Sequence, residues 1–208
     1  RVILCDKSLI SRGGATVMAQ MTVAAAIGHE EADHWTHHLQ DTIKSGQQLC
    51  NENLSYLLCK NAPEKILQMR DWKTDWANDN ARIRQVLAPG HGVKRCCYVD
   101  FLNTGPAVAR TLRGQVAKLK NINRVSGLTI IDLVIEGNQV IGAIGLNTET
   151  GTYVSISAKA IVLAAGGLTQ LFARNSASKN MGGDSHALAL RAGANLIDME
   201  FVQFFPIG

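Results

Sequence analysis

Short apolar runs alternate with amphipathic stretches along this chain, and that alternation predicts an α/β fold. The first run, at residues 2–6, predicts a buried strand with an acidic end. A Gly-rich loop at residues 11–14 follows, and the Ala-rich composition after it predicts a helix from about Thr16 to Ile27 that a glycine ends. Because a buried strand needs neighbours on both sides, we expect further residues upstream of Arg1.

The next stretch is more polar, and its apolar positions recur with a helical period. We predict helices at about residues 30–49, 53–60 and 63–72, the last opened by a proline in its first turn. Residues 73–100 show no clear period and predict irregular structure. The segment from about 30 to 90 is therefore expected to be a helical excursion from the α/β core.

The second half of the chain returns to β-type runs. A helix is predicted from Thr104 to Lys118, and three short runs after it predict a small meander of hairpins at about 128–157. These runs cover residues 128–136, 140–147 and 153–157. Beyond them we predict an apolar strand at 160–165, a helix at 184–192 and an extended segment at 196–204.

Composition narrows the class of protein. The chain has 208 residues, of which 46% are hydrophobic and 18% charged, as in one ordinary globular domain. Its net charge of +4 comes from scattered basic residues, so no nucleic acid is expected as a partner. No apolar run reaches the roughly 18 residues of a membrane span. Five cysteines without a C-x-x-C pair indicate reduced thiols in a cytoplasmic protein.

Three features near predicted strand ends carry candidate chemistry. Asp6 closes the first strand, where a carboxylate can accept both ribose hydroxyls of a dinucleotide, although a solvated loop pair with Lys7 is the commoner alternative. The loop from Ser11 to Thr16 offers backbone N–H groups to a phosphate, and a tight strand-to-helix turn would explain it equally. The small residues from Ala164 to Gly167 let a ligand approach the main chain, as would close helix–strand packing. Their order along the chain favours a dinucleotide site.

Three other groups of residues have plainer interpretations. Four histidines fall between residues 29 and 38, where a polar helix surface is favoured over a metal site. The adjacent Cys96 and Cys97 would form a strained disulfide at best, so two buried thiols are favoured over a redox pair. The tryptophans are expected to anchor helix packing rather than to stack on a ligand; they are Trp35, Trp72 and Trp76.

Five segments spread over the chain carry longer motifs. They read RGGATVMAQMTVAAAIG at residues 12–28, DHWTHHLQDTIKSGQ at 33–47, RCCYVDFLNTGPAVARTL at 95–112, KAIVLAAGG at 159–167 and GDSHALALRAGANLIDMEFVQFFPIG at 183–208. In the same order, they resemble motifs of the fumarate reductase and succinate dehydrogenase flavoprotein family, which includes the L-aspartate oxidases. The second resembles D-x-W-x-x-H-x-x-D-T-x-K-G, for example, and the fourth K-A-V-I-L-A-T-G-G.

The resemblance implies a glutathione-reductase-type, Rossmann-like FAD-binding domain over residues 1–208, with a helical insertion and a β-meander. The first βα unit, with its G-x-G-x-x-G turn, and the capping domain would lie outside this chain. Asp6 would hold the adenosine ribose, the loop from Ser11 to Thr16 would line the diphosphate and ribityl, and Ala19 and Gln20 would lie nearer the flavin. The predicted cofactor-binding residues are Asp6, Lys7, Ser11, Arg12, Gly13, Gly14, Ala15, Thr16, Ala19, Gln20, Ala164, Ala165, Gly166, Asn175, Ser176 and Asp184.

The sequence departs from the family pattern at three places. Members with covalently bound flavin carry a histidine where this chain has Ala15, so we predict non-covalent FAD. The family's A-Q-G-G continues here with Met21 and Thr22, whose side chains would crowd the flavin. The family's Q-F-H-P-T-G has Phe205 and Ile207 in place of the histidine and threonine that help to hold a dicarboxylate. Fumarate or succinate is therefore in question as the substrate, and a more apolar one becomes competitive.

The implied function is that of an FAD-dependent oxidoreductase, in which a hydride passes between a small-molecule substrate and the flavin. Electrons would leave through an iron–sulfur subunit, and partner subunits would hold this cytoplasmic protein at the inner face of the membrane. No catalytic residue and no metal ligand is assigned. The alternatives are an L-aspartate oxidase-like enzyme, a degenerate flavin-binding domain without catalysis, and a scaffold that binds no dinucleotide.

Overall fold

A computed structural model describes residues 1–100 and 102–204 of the chain. It divides into two compact units, one made of residues 1–15 with 121–208 and the other of residues 16–120. In chain order the strands and α-helices are β1 (Val2–Asp6), β2 (Val23–Ala24), α1 (Trp35–Ser45), α2 (Glu52–Asp71), β3 (Asn78–Asp79), β4 (Arg82–Ile83), β5 (Gln85–Val86), β6 (Cys96–Cys97), α3 (Thr104–Lys118), β7 (Ile122–Ser126), β8 (Leu128–Glu136), β9 (Gln139–Asn147), β10 (Tyr153–Ser157) and α4 (Asp184–Arg191).

The first unit contains a parallel strand pair and an antiparallel sheet. β1 pairs with β7 in parallel, from Val2 opposite Ile122 to Asp6 opposite Ser126. β8, β9 and β10 form a three-stranded meander, with a two-residue turn between Glu136 and Gln139. The predicted strand at residues 2–6 and the meander are therefore confirmed, whereas the sequence pattern did not reveal β7 because its INRVS sequence is mostly polar.

The second unit contains three helices and two small sheets, and residues of α2, β4 and β6 contribute to its buried apolar cluster. β2, β6 and β5 form one antiparallel sheet, and β3 pairs with β4. The buried cluster consists of Ala25, Ile66, Trp76, Ile83 and Cys97. Trp76 is thus a packing residue, as predicted.

α3 has the predicted bounds, and α4 lies within one residue of its prediction. Both Cys96 and Cys97 are buried free thiols, as predicted.

The predicted helix from Thr16 to Ile27 is wrong. Only a single 3₁₀ turn forms there, at Thr16–Met18, and the segment continues into β2. Its backbone groups bond to distant parts of the unit: β2 pairs with β6, and the Ala19 carbonyl accepts from the Gly105 N–H at 2.7 Å. These long-range partners override the local helix propensity of the alanines.

The helices of the excursion also differ from their predicted bounds. α1 begins only at Trp35, where His34 caps it, and ends before Gln47 and Gln48, whose positive φ angles of 51° and 61° cannot continue a helix. The two helices predicted at 53–60 and 63–72 are one continuous helix, α2, with Pro63 inside it. The buried Ser55, Cys59 and Ile66 share one stripe on both sides of that proline, so packing holds the two halves together. Residues 73–100, predicted to be irregular, contain four short strands.

The predicted strand at 160–165 is wrong as well, since these residues pair with no strand in the described chain. Val162 is 89% exposed there, and an apolar run does not make a strand without a partner. Residues 196–204, predicted to be extended, pair with no strand among the described residues. β1 is less buried than expected, because Val2 and Ile3 are about half exposed. Phe205 and Ile207 lie outside the described residues.

Candidate functional site

The carboxylate of Asp6 fixes the turn that follows β1 in the first unit. Its Oδ1 accepts hydrogen bonds from the Ser8 N–H at 2.8 Å and from the Ser8 hydroxyl at 3.0 Å. Asp6 does not pair with Lys7. The Lys7 ammonium instead lies 2.5 Å from Oδ2 of Asp184, in the first turn of α4. The two predicted cofactor residues Lys7 and Asp184 therefore meet across 177 residues of sequence.

The Gly-rich loop of the same unit packs against residues 178–180. A Cβ at Gly13 would lie 2.4 Å from Nδ2 of Asn180 and 2.5 Å from Oγ of Ser8, so only glycine fits without a shift of these side chains. Gly14 has a φ of +83° and open space where its Cβ would be, and its N–H donates to the Ser178 hydroxyl at 3.1 Å. The loop thus has one face held by side chains and one face open to a ligand.

The small residues after 160 contact the next part of the same segment. The Ala165 N–H donates to the Ser185 hydroxyl at 3.0 Å, and the Gly183 N–H donates to the Gly167 carbonyl at 3.1 Å. Residues 178–185, which we call the bridging segment, therefore join the end of β1, the Gly-rich loop and the small-residue stretch. These are the three features that the sequence predicted to act together.

Other predicted site residues of the first unit make no hydrogen bond to the bridging segment. Asn175 makes only local hydrogen bonds, its Nδ2 donating to the Phe172 carbonyl at 2.6 Å and its Oδ1 accepting from the Ala177 N–H at 3.1 Å. Arg12, Ala15, Ala164 and Ser176 are exposed. Ser11 adopts a positive φ of 60° within the loop.

Three predicted residues, Thr16, Ala19 and Gln20, belong to the second unit, and all three are exposed. The start of α3 anchors their segment. Gly105 donates its N–H to the Ala19 carbonyl, and the Thr104 hydroxyl donates to the Met21 carbonyl at 2.7 Å. A Cβ at Gly105 would lie only 1.9 Å from the Thr16 carbonyl oxygen. α3 therefore sets the conformation of the Thr16–Met21 backbone.

Comparison with known proteins decides the family. Residues 1–208 match the family described as FAD binding domain. The chain belongs to that family. Its cofactor is therefore FAD, as predicted, and the α/β fold is that of the FAD binding domain.

Curated relatives match the FAD binding domain along nearly its whole length. An uncharacterised FAD-dependent oxidoreductase of Methanocaldococcus jannaschii is 35% identical over 100% of this chain and 38% of its own. A succinate dehydrogenase flavoprotein subunit of Rickettsia bellii is 31% identical over 98% of this chain and 35% of its own. An L-aspartate oxidase of Mesorhizobium japonicum is 28% identical over 99% of this chain and 39% of its own.

A solved structure shows the same fold. The Mycobacterium smegmatis Sdh1 complex in its apo form superposes with a TM-score of 0.94 at 33% identity, covering 98% of this chain and 36% of that chain. This FAD binding domain thus spans little more than a third of the length of these relatives.

The first unit of the FAD binding domain has groups that fit this cofactor. Gly14 leaves open space, which permits a diphosphate to approach the main chain. Oδ2 of Asp6 makes no hydrogen bond among the described residues and remains available to a ribose hydroxyl. Asp6 ends β1 and Gly14 lies in the loop that follows it, and nucleotide sites of parallel α/β folds are found at such strand ends.

Sequence reasoning missed the residues of the FAD binding domain that hold these groups in place. Ser8, Ser178 and Asn180 were not among the predicted residues, because no local pattern shows that residues 178–180 contact residue 13. Thr104 and Gly105 could have been predicted from the sequence, since they form the T-G pair of the third motif.

The second unit of the FAD binding domain contains a buried charge cluster. The Arg95 side chain is fully buried and donates to both carboxylate oxygens of Asp33, at 2.9 and 3.2 Å, and to Asp41 at 2.7 Å. Burial opposes ionisation of Asp41, but the Gly92 N–H and the Arg95 guanidinium outweigh it and lower the pKa of that carboxyl. These residues come from the second and third motifs, so both motifs encode a structural ion-pair network.

His38 lies beside that cluster and is only 4% exposed. Burial, and then the positive Arg95, lower the pKa of His38 to about 4. The polar-surface interpretation of the histidines is therefore wrong for His38, although His34 and His37 are exposed.

Proposed function

We propose that the protein containing this chain is an FAD-dependent oxidoreductase similar to the flavoprotein subunits of succinate dehydrogenase and fumarate reductase. One observation carries the proposal: the bridging segment joins the end of β1, the Gly-rich loop and the small-residue stretch within a chain that matches the FAD binding domain from end to end. Residues 1–208 would then be part of one FAD-binding domain, with a glutathione-reductase-type topology.

The roles of individual residues follow from their positions in each unit. Asp6 accepts hydroxyl groups of the adenosine ribose, and the main chain at Gly13 and Gly14 faces the diphosphate. The resemblance assigns Thr16, Ala19 and Gln20 of the second unit to the ribityl and flavin, and within that unit α3 holds their backbone. Bound FAD supplies the hydride and electron chemistry, whereas these residues bind and orient it.

FAD is held without a covalent bond in this proposal. Ala15 has no nucleophilic side chain, and it stands where covalent members of the resembled family carry a histidine. A methyl group can form no bond to the flavin.

The substrate is a small molecule that need not be a dicarboxylate, because Phe205 and Ile207 supply neither a charge nor a hydroxyl. An iron–sulfur subunit would accept the electrons, and through it the protein would sit at a membrane surface. None of the helices in the described ranges has the length and apolar character that crossing a bilayer requires.

An L-aspartate oxidase-like activity is the second candidate, and the relative from Mesorhizobium japonicum favours it. Such an enzyme would pass electrons to oxygen or fumarate without an iron–sulfur partner. Anaerobic reduction of the bound flavin by L-aspartate, with no reduction by succinate, would select this candidate. Flavin that no substrate reduces would select the non-catalytic alternative.

The visible absorption spectrum of the full-length protein, before and after acid precipitation, tests the cofactor proposal. We expect oxidised-flavin bands that move wholly to the supernatant, because nothing at Ala15 can hold the flavin covalently. Colour retained in the pellet would contradict non-covalent binding. A protein that stays colourless after addition of FAD would contradict the proposed function itself.

A further inference from the structure

The hydroxyl of Ser178 accepts two hydrogen bonds, and its own proton is left without an acceptor among the described residues. Its Oγ accepts the Gly14 N–H at 3.1 Å and the Asn180 N–H at 3.3 Å. A hydroxyl oxygen has two acceptor lone pairs and one proton, so two accepted bonds fill its lone pairs. Its proton has no acceptor among the described residues, and the hydroxyl lies beside Gly14, where the loop leaves open space.

Asn180 holds the other side of the loop. Its Nδ2 donates to the Ser8 hydroxyl at 2.7 Å, and that hydroxyl donates to Oδ1 of Asp6. The same amide lies against Gly13, where a Cβ would be 2.4 Å away. A chain of hydrogen bonds therefore runs from Asn180 through Ser8 to the carboxylate proposed to hold the ribose.

We infer that Ser178 and Asn180 complete the diphosphate part of the FAD site from a second segment of the chain, an inference that rests on the proposed function. Ser178 donates its hydroxyl proton to a diphosphate oxygen of FAD. Asn180 is a positioning residue that fixes Gly13 and, through Ser8, the carboxylate of Asp6.

The chemistry of the loop supports this assignment. The Lys7 ammonium is already paired with Asp184, so its charge is largely offset by a carboxylate. No other ion pair or hydrogen bond in the described residues brings a cation to Gly13 or Gly14. The neutral Ser178 hydroxyl, hydrogen-bonded to the Gly14 N–H, can therefore act on a diphosphate beside the exposed Arg12.

The test compares FAD affinity and apoprotein stability in the full-length protein that contains this chain. Ser178→Ala, Ser178→Thr and Asn180→Ala are made beside Ser155→Ala, a matched control on an exposed strand residue of the same unit. The Kd for FAD is measured by quenching of flavin fluorescence, and the unfolding midpoint of each apoprotein by circular dichroism. ADP, which keeps the diphosphate, is used as a competitor.

Ser178→Ala should raise the Kd for FAD and the inhibition constant for ADP by about tenfold, the loss of one hydrogen bond to a charged group. Its apoprotein midpoint should lie slightly below that of Ser155→Ala, because the Gly14 and Asn180 N–H groups lose their acceptor. Ser178→Thr should recover most of the affinity. Asn180→Ala should also raise the Kd. Unchanged affinity in Ser178→Ala, or a loss that Thr does not recover together with a lowered midpoint, would overturn the inference alone. An unaltered protein that binds no FAD would overturn the proposed function with it.

Discussion

At the scale of single residues, the second unit keeps one histidine neutral. His38 is buried beside the Arg95 guanidinium, and its Nδ1 has no hydrogen-bond partner among the described residues. From other elements, His91 adds positive charge when it is protonated, and the carboxylates of Asp33 and Asp41 offset part of the effect. The sequence showed four histidines close together, but not that one of them faces the core.

This environment predicts a pH dependence of folding stability. The folded-state pKa of His38 is about 4, below its ordinary value of 6.5. The contribution of neutral His38 to the free energy of unfolding is therefore complete above pH 6.5 and is lost as the pH falls toward 4. It amounts to at most about 3 kcal/mol. The pKa values of His29 and His91 are also lowered by burial, so they act in the same direction.

Urea unfolding at a series of pH values between 7 and about 4 measures the effect. We expect His38→Gln to flatten the loss of unfolding free energy in acid, because glutamine does not gain a proton. His37→Gln, on the exposed side of the same helix, serves as the matched control; its ring nitrogen lies 3.8 Å from Asp33, and the slope should stay nearer that of the unaltered protein than in His38→Gln. Equal slopes in both variants would contradict the assignment to His38.

At the scale of elements, prediction succeeded where the pattern was local. α3 has a regular helical stripe and the meander has clear turns, and both appear with the predicted positions. The segment from Thr16 to Ile27 failed because its partners, β6 and Gly105, are some 70 to 90 residues away in sequence. The same reason hid the contacts of Ser178 and Asn180 from sequence analysis. The end of β1, the two loop glycines and Asp184 could be proposed from the sequence because local patterns mark them.

Gly105→Ala should disrupt the contact between α3 and the Thr16–Met21 backbone. A Cβ there would lie 1.9 Å from the Thr16 carbonyl oxygen and 2.5 Å from that of Ala19, and main chain moves less readily than a side-chain end. We expect a loss of about 2–3 kcal/mol of unfolding free energy from this overpacking. Gly114→Ala, on the same helix with open space at its Cβ, should instead be neutral or stabilising by up to about 1 kcal/mol. Denaturant unfolding of both variants checks the prediction, which fails if Gly105→Ala is as stable as Gly114→Ala.

At the scale of the whole molecule, the proposed cofactor should act as a stabilising ligand. FAD at about 100 times its Kd should add about 2.7 kcal/mol to the unfolding free energy. FMN lacks the adenosine ribose that Asp6 is proposed to hold, and should stabilise much less at the same concentration. Thermal unfolding of the apoprotein with each ligand provides the measurement. Equal stabilisation by FMN and FAD would show that the end of β1 takes no part in binding.

The division of the chain into a continuous and a discontinuous unit has a consequence for its biosynthesis. Residues 16–120 form one uninterrupted segment, whereas β1 pairs with β7, about 120 positions further along. A ribosome releases the chain from its N-terminus, so this pairing cannot precede synthesis of residue 126, long after β1 has emerged. The second unit can therefore fold first, while the apolar run from Val2 to Cys5 still lacks its β7 partner. The strand that carries the proposed ribose-binding carboxylate thus reaches its pairing with β7 only after the whole of the second unit has been synthesised.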